Sequence, residues 1–232
     1  LRLPDGLINV ACLCQSVDKI PKSPPCPAKG VSMAADAKFD ASLSYQARSL
    51  WGKSDYGMGE CWLPLYVHMA DSAGVASRLW DSWVPRSTKG IIARAFDGDE
   101  TLGQSLFVLL AAVHDIGKAT PAFQVKGLSF RQGGEGGILW KPEHAGLVIR
   151  HDLSGRPCPT HPIAGEVLLT KYLKEHGFTG DVQGRQARRR AKKQASAISC
   201  IVGAHHGRFP STTRLVPAGE DDIALGWGGE GS

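Results

Sequence analysis

No apolar run in this chain is long enough to cross a bilayer. The longest is Leu106–Val113, against the roughly 20 residues that a spanning helix needs. No membrane partner is therefore expected. The segment Leu7–Cys14 is also apolar, but no basic run precedes it and no convincing cleavage site follows, so a secretory leader is not expected. Aromatic residues are scarce, at 7% of 232 residues. Among Cys12, Cys14, Cys26, Cys61, Cys158 and Cys200 there is no C-x-x-C pair, which excludes a zinc-ribbon reading. Three of these cysteines crowd the first 26 residues and the rest are scattered. That usage suits a reducing cytoplasm better than a disulfide framework. No stretch alternates like a convincing strand, and there is no internal repeat.

What remains is a chain that is 42% hydrophobic, enough to bury a core in one sizeable domain or two small ones. Its net charge of +5 is compatible with an anionic partner without demanding one. Residues 1–32 hold five of the 14 prolines and no sustained helical period. They read as an N-terminal extension, with the natural start near Met33 and the folded domain over 33–232.

From residue 64 to 83, Leu65, Val67, Val75, Leu79 and Trp80 fit a helix. Further helices are predicted over 87–97 and 101–117. The second of these is apolar nearly all round, hence buried, with Gly117 as its C-terminal glycine. Residues 126–142 and 152–160 read as loops, and 161–176 as a helix stopped by Gly177. "GRQARRRAKKQASAISCIVGAHHG" reads as a helix with a basic start and an apolar end, closed by Gly207. The tail from Pro217 is glycine-rich and has no period. The expected fold class is mostly α.

The placement of the histidines is the informative feature. His68 lies on the first strong helix. His114 and Asp115 end the apolar one, His161 opens the next, and His205–His206 close the last. The spacings of 46, 47 and 44 residues put the four places on four separate helices, whose side chains a helical bundle can gather in its core. Any one of these histidines alone is more often a hydrogen-bonded core residue. The ordered pattern H…HD-x-x-K…H…HH favours a metal site. Imidazole suits transition ions, and Asp115 has two oxygens with which to bridge a pair of them. Two such ions promote in-line attack on phosphorus. Lys118, one helical turn beyond Asp115, is a candidate to stabilise charge on the phosphate.

The words "LPLYVHMADSAGVASRLW", "LLAAVHDIGKATPAFQ", "HPIAGEVLL" and "IVGAHHGRFP" resemble the HD-domain phosphohydrolases. More narrowly, they resemble the HD nuclease domain of the type I CRISPR nuclease-helicases, especially the subtype I-E form. The resemblance covers about residues 45–215. It implies a helical HD bundle with a metal site between helices that cuts single-stranded DNA. His68, His114 and Asp115 would hold one ion. Asp115, His161, His205 and His206 would hold the second, with Lys118 on the scissile phosphate. The implied cofactors are two divalent transition ions such as iron, manganese, nickel or cobalt. The implied partners are a helicase domain or subunit and the Cascade complex. The family pattern also has one more aspartate, well downstream of the double histidine. Here the chain ends 26 residues after His206, with Asp221 and Asp222 the only aspartates in that interval. The last ligand is expected to be missing and the domain truncated at its C-terminal end.

Other candidates stand beside these. His144, in "KPEHAGLVIR", is the alternative to His161 as a ligand, while His151 and His176 border polar loops. Asp71, three residues after His68, is a candidate to orient it. Arg188, Arg189 and Lys192, in the densest basic run, are candidate DNA-backbone contacts; a solvated helix face is the bland explanation. Arg208 and Ser211 are candidate phosphate contacts. Phe123, Phe209 and Trp140 are candidates to stack on bases, although Phe123 also reads as core. The alternatives to a nuclease are a phosphohydrolase acting on nucleotides and a non-catalytic metal-binding or interaction module.

Overall fold

The computed structural model describes residues 43–54, 62–129, 138–177, 184–211 and 214–215. The N-terminal extension 1–32, Met33, Cys61 and the tail with Asp221 and Asp222 lie outside the described residues. The expected helical bundle is observed. Its elements are α1 (Tyr45–Ser49), α2 (Leu65–Ser82), α3 (Arg86–Ala93), α4 (Glu100–Val113), α5 (Pro121–Gln124), α6 (Trp140–His144), α7 (His161–Tyr172) and α8 (Arg185–Gly203). No single helix among the described residues is long and apolar enough to cross a membrane.

Local chemistry sets the helix boundaries. Pro64 (ψ 142°) and Pro85 (ψ 148°) stand in extended conformation immediately before α2 and α3. After α3, Asp97 (φ 55°) and Gly98 (φ 92°) turn the chain back. Asp99 then caps α4, accepting from the Thr101 N–H at 2.8 Å and the Leu102 N–H at 3.1 Å. α4 ends at Val113, so His114 and Asp115 sit just past it, ahead of a tight turn over Ile116–Ala119.

Three apolar clusters surround that point. Ala73 and Ala76 of α2 meet Val108 and Ala112 of α4. Leu169 of α7 and Ala191, Ala195 and Val202 of α8 form the second, against which Leu110 and Val113 of α4 also pack. Trp51, Ala122, Val125, Ile138, Leu139, Ile149 and Leu153 form the third.

Four details differ from the sequence expectation. A short antiparallel pair exists, β1 (Trp51–Ser54) with β2 (Trp62–Pro64), registered Trp51 to Pro64 and Ser54 to Trp62. Strands of four and three residues are too short to leave an alternating pattern. The buried stripe of α2 is Leu65, His68, Ala73, Ala76 and Trp80, whereas Val75 is 58% exposed. The small alanines let α2 approach α4, and the larger aliphatic side chains were a misleading guide. α4 is not buried all round: Val108, Leu109 and Ala112 are, but Phe107, Leu110 and Ala111 are only half-buried.

Gly117 is the fourth. It lies inside the turn rather than closing α4, and its role is close approach. A Cβ there would stand 1.9 Å from the His161 carbonyl oxygen and 2.5 Å from the Gly165 nitrogen. Gly165 in turn lies against the Gly117 nitrogen and Val202 of α8. These two glycines let the turn, α7 and α8 meet backbone to backbone. Gly117→Ala should therefore cost about 3 kcal/mol or more, the upper end of overpacking. Gly90→Ala, in α3 with nothing within 4 Å of the new Cβ, should instead stabilise by roughly 0.5–1 kcal/mol. Denaturation midpoints of the two variants, moving in opposite directions, check both.

Candidate metal centre

Four elements deliver side chains to one point. His68 comes from α2, His114 and Asp115 from the end of α4, His161 from the first residue of α7, and His205 and His206 from just past α8. Asp115 is 3% exposed. Its Oδ2 lies 2.8 Å from His68 Nε2, 3.2 Å from His114 Nε2 and 2.8 Å from Lys118 Nζ. Its Oδ1 lies 3.2 Å from His161 Nε2 and 3.5 Å from His205 Nε2. The exposed His206 ring packs edge-on against those of His205 and His161. The ligand atoms fall into two groups, His68–His114–Asp115 and His161–His205–His206, each with all atoms within 4.8 Å of one another. The carboxylate thus has one oxygen facing each group.

The ring orientations fit a cation. His114 Nδ1 donates to the Ala111 carbonyl at 2.8 Å, and His205 Nδ1 donates to the Val202 carbonyl at 2.7 Å. A carbonyl only accepts, so the proton is on Nδ1 and the neutral ring turns an Nε2 lone pair toward Asp115. Backbone-anchored imidazoles of this kind are the usual partners of a metal ion. Asp115 Oδ1, His161 Nε2 and His205 Nε2 are buried without a hydrogen-bond partner. The carboxylate oxygen and the His205 lone pair are both acceptors, and a cation between them removes their repulsion. Burial alone would raise the Asp115 carboxyl, but in metal-free protein the facing imidazoles of His114, His161, His205 and His68, once they carry a proton on Nε2, hold it well below the usual carboxylate range.

Lys118 is 9% exposed and engaged twice, on Asp115 Oδ2 and, at 2.9 Å, on the Gly52 carbonyl of β1. Gln124, fully buried, was missed from sequence. Its amide donates to the carbonyls of Trp51 at 2.9 Å and Lys118 at 2.8 Å, and its Oε1 accepts the Trp51 N–H at 3.3 Å. It ties β1 to the turn carrying Lys118. Only its position in "KATPAFQ" could have flagged it. Glu166 was also missed. It is 8% exposed, its Oε2 has no hydrogen-bond partner, and burial pushes its carboxyl up. It lies against Gly203, where a Cβ would come within 1.9 Å of Oε2.

The other candidates fall elsewhere. His144 is exposed and outside both ligand groups, whereas His161 is inside one. His151 pairs with Glu143 on the surface. Asp71 is half-buried; burial raises its carboxyl, opposed by charge from His68 and Lys53. Arg188, Arg189 and Lys192 are exposed near the start of α8, ~20 Å from the double histidine by helical rise. Arg208 and Ser211 are exposed just beyond that pair. Phe123 is half-buried, with its ring 4.6 Å from Trp51 and 5.7 Å from His161. Phe209 is 72% exposed. The side chain of Trp140 lies outside the described residues.

A helical bundle that turns five histidines and an aspartate onto one point has the architecture of an HD domain. The family model described as "Cas3, HD domain" matches residues 51–225, and the chain belongs to that family. It is 35% identical over 153 residues to a CRISPR-associated nuclease/helicase Cas3 of Streptococcus thermophilus, covering 63% of this chain and 14% of that protein. It is 29% identical over 170 residues to a CRISPR-associated endonuclease/helicase Cas3 of Thermus thermophilus, covering 73% of this chain and 15% of that protein. The matched region is thus about one seventh of those relatives. No solved structure gives a significant match.

The site makes a prediction about pH. The His114 imidazole is raised, chiefly by its bond to Asp115, against the opposing effect of burial. A raised imidazole adds stability below the ordinary imidazole range and loses it as pH rises through the folded value. The depressed Asp115 carboxyl contributes its stability at every pH above the ordinary carboxylate range, so it adds no pH dependence in that window. Metal-free protein should therefore melt lower as pH rises above about 6.5. Divalent ions bind deprotonated imidazoles, so their stabilisation should grow with pH over the same range. Melting curves with chelator and with manganese should diverge as pH rises; parallel trends would count against the ligand assignment.

Proposed function

We propose that this chain is a metal-dependent nuclease domain that hydrolyses phosphodiesters in single-stranded DNA during CRISPR interference. The observation that carries the proposal is Asp115, whose two oxygens face two separate ligand groups. Membership of the Cas3 HD family and the nuclease names of the relatives support the choice of reaction. His68, His114 and Asp115 would hold one divalent ion; Asp115, His161, His205 and His206 would hold the other. Iron, manganese, nickel and cobalt all suit this donor set. Such a pair supplies Lewis-acid polarisation of a phosphoryl oxygen and water that ionises near neutral pH.

The chain's own residues do the rest. Ala111 and Val202 fix the ring orientation of His114 and His205 through their carbonyls. Lys118 holds Asp115 in place, itself anchored on the Gly52 carbonyl, and in this reading acts on the phosphate through that carboxylate. Arg208 and Ser211, exposed within five residues of His206, are the candidates for phosphate oxygens of the strand. Arg188, Arg189 and Lys192 are a further patch for DNA backbone, reached only by a strand that runs along α8. The relatives' names and their greater length support a helicase partner that feeds the strand. Recruitment by Cascade belongs to the same reading.

Purified chain given manganese or nickel should degrade circular single-stranded DNA, and Asp115→Ala should abolish the activity. The check is a gel assay run beside metal analysis of the same preparation. No cleavage with any divalent ion, together with less than one ion per chain, would overturn the reading. Hydrolysis of free nucleotides with no cleavage of the strand would replace it with the nucleotide phosphohydrolase.

A further inference from the structure

Between the C-terminal end of α4 and the end of α8 lies a cavity of about 500 Å³. Its lining includes Phe107 and Leu110 of α4, Ile201 of α8, and Phe209 just past the double histidine. His114 and His205 complete the wall. Those two imidazoles belong to different ligand groups, so the cavity opens beside the metal centre itself. No Asp, Glu, Lys or Arg side chain lines it, so apart from the two ligand imidazoles a phosphate has nothing to bind inside. An apolar group attached to the reacting phosphate does.

The surroundings point to a flat, uncharged occupant. Phe209 is 72% exposed and Ile201 49% exposed, two large apolar side chains at the edge of one hollow. Gly207 adopts a left-handed conformation (φ 84°) directly after His206. The turn it makes carries the chain to Phe209 within two residues. The feature is therefore built from the same short segment, "HHGRF", as the metal ligands. An aromatic face stacks on any base, with little dependence on sequence.

We infer that this cavity is a subsite for one nucleobase next to the scissile phosphate, with Phe209 as its stacking platform. The inference rests on the nuclease reading above and extends it. A base inside a duplex is paired and stacked on its neighbours and cannot enter without being pulled out. A base in a single strand is free to do so. The cavity therefore selects single strands by a route separate from the metal ions.

Two measurements on the 232-residue chain test this. The first needs no catalysis. A single-stranded oligonucleotide carrying 2-aminopurine should lose fluorescence on binding to the wild type and to Phe209→Trp, and keep it with Phe209→Ala. The second compares manganese-dependent cleavage of an intact single strand with that of the same strand made abasic. Wild type and Phe209→Trp should prefer the intact strand by about fivefold to a hundredfold in kcat/KM, the range that stacking on one aromatic supplies. Phe209→Ala should lose that preference while cutting the abasic strand at the wild-type rate. Equal cleavage of both strands by the wild type, or an equal loss on both in Phe209→Ala, would overturn the subsite and leave the nuclease standing. Quenching that depends on Phe209 without any cleavage would keep the subsite and remove the nuclease. No Phe209-dependent quenching in the wild type would sink the subsite by itself, and would be the result if another protein segment covers this face.

Discussion

Asp115 sits in one of the driest parts of the chain, and its surroundings are organised around it. An isolated carboxylate taken out of water is strongly disfavoured. Here Lys118 stands on one oxygen and imidazoles converge on both. The balance is incomplete without a further cation, because two of those rings are anchored with their lone pairs turned inward. The same arrangement that makes the carboxylate tolerable makes it a bridge between two ligand groups. Electrostatics and coordination are one design at this point.

Bringing four chain segments to one carboxylate is a packing problem, and backbone contact solves it. Side chains on ordinary helices keep axes about 8–10 Å apart. At the metal centre Gly117 and Gly165 remove that spacing, so that the turn after α4 rests on the first turn of α7. Gly203 does the same for α8 against Glu166. Ala73, Ala76 and Ala112 play the equivalent part where α2 meets α4. Gln124 then fastens β1 under the turn with its side-chain amide, which lets a strand carbonyl reach Lys118.

Much of this was legible beforehand. Helices near 64–83, 101–117, 161–176 and 185–207 are legible as apolar stretches bounded by proline, glycine and charged residues. Each candidate histidine stood at a helix end or on an apolar face, and the ordered spacing with the HD pair carried the resemblance. The errors share a cause. Val75 and Leu79 fit the helical period of α2 yet are exposed, because close helix contact selects small residues. Gly117 was taken for a helix stop because glycines commonly are, yet its neighbour across space is the His161 carbonyl. Gln124 and Glu166 left no signal, since buried polar side chains are recognisable only by their partners.

Local residue order by itself determined the helical class, the starts of the main helices, and which histidines stand near a helix end. Those follow from periodicity, proline, glycine and capping residues, which act over a few positions. Only the tertiary structure decided that Asp115 turns one oxygen to each ligand group, that His161 and not His144 stands among them, and that Lys118 is anchored on the Gly52 carbonyl. It alone decided that the half-buried side of α4, the end of α8 and Phe209 line a hollow beside the centre. Those facts depend on distances between segments 40 or more residues apart, and such distances are set by how closely backbones can approach.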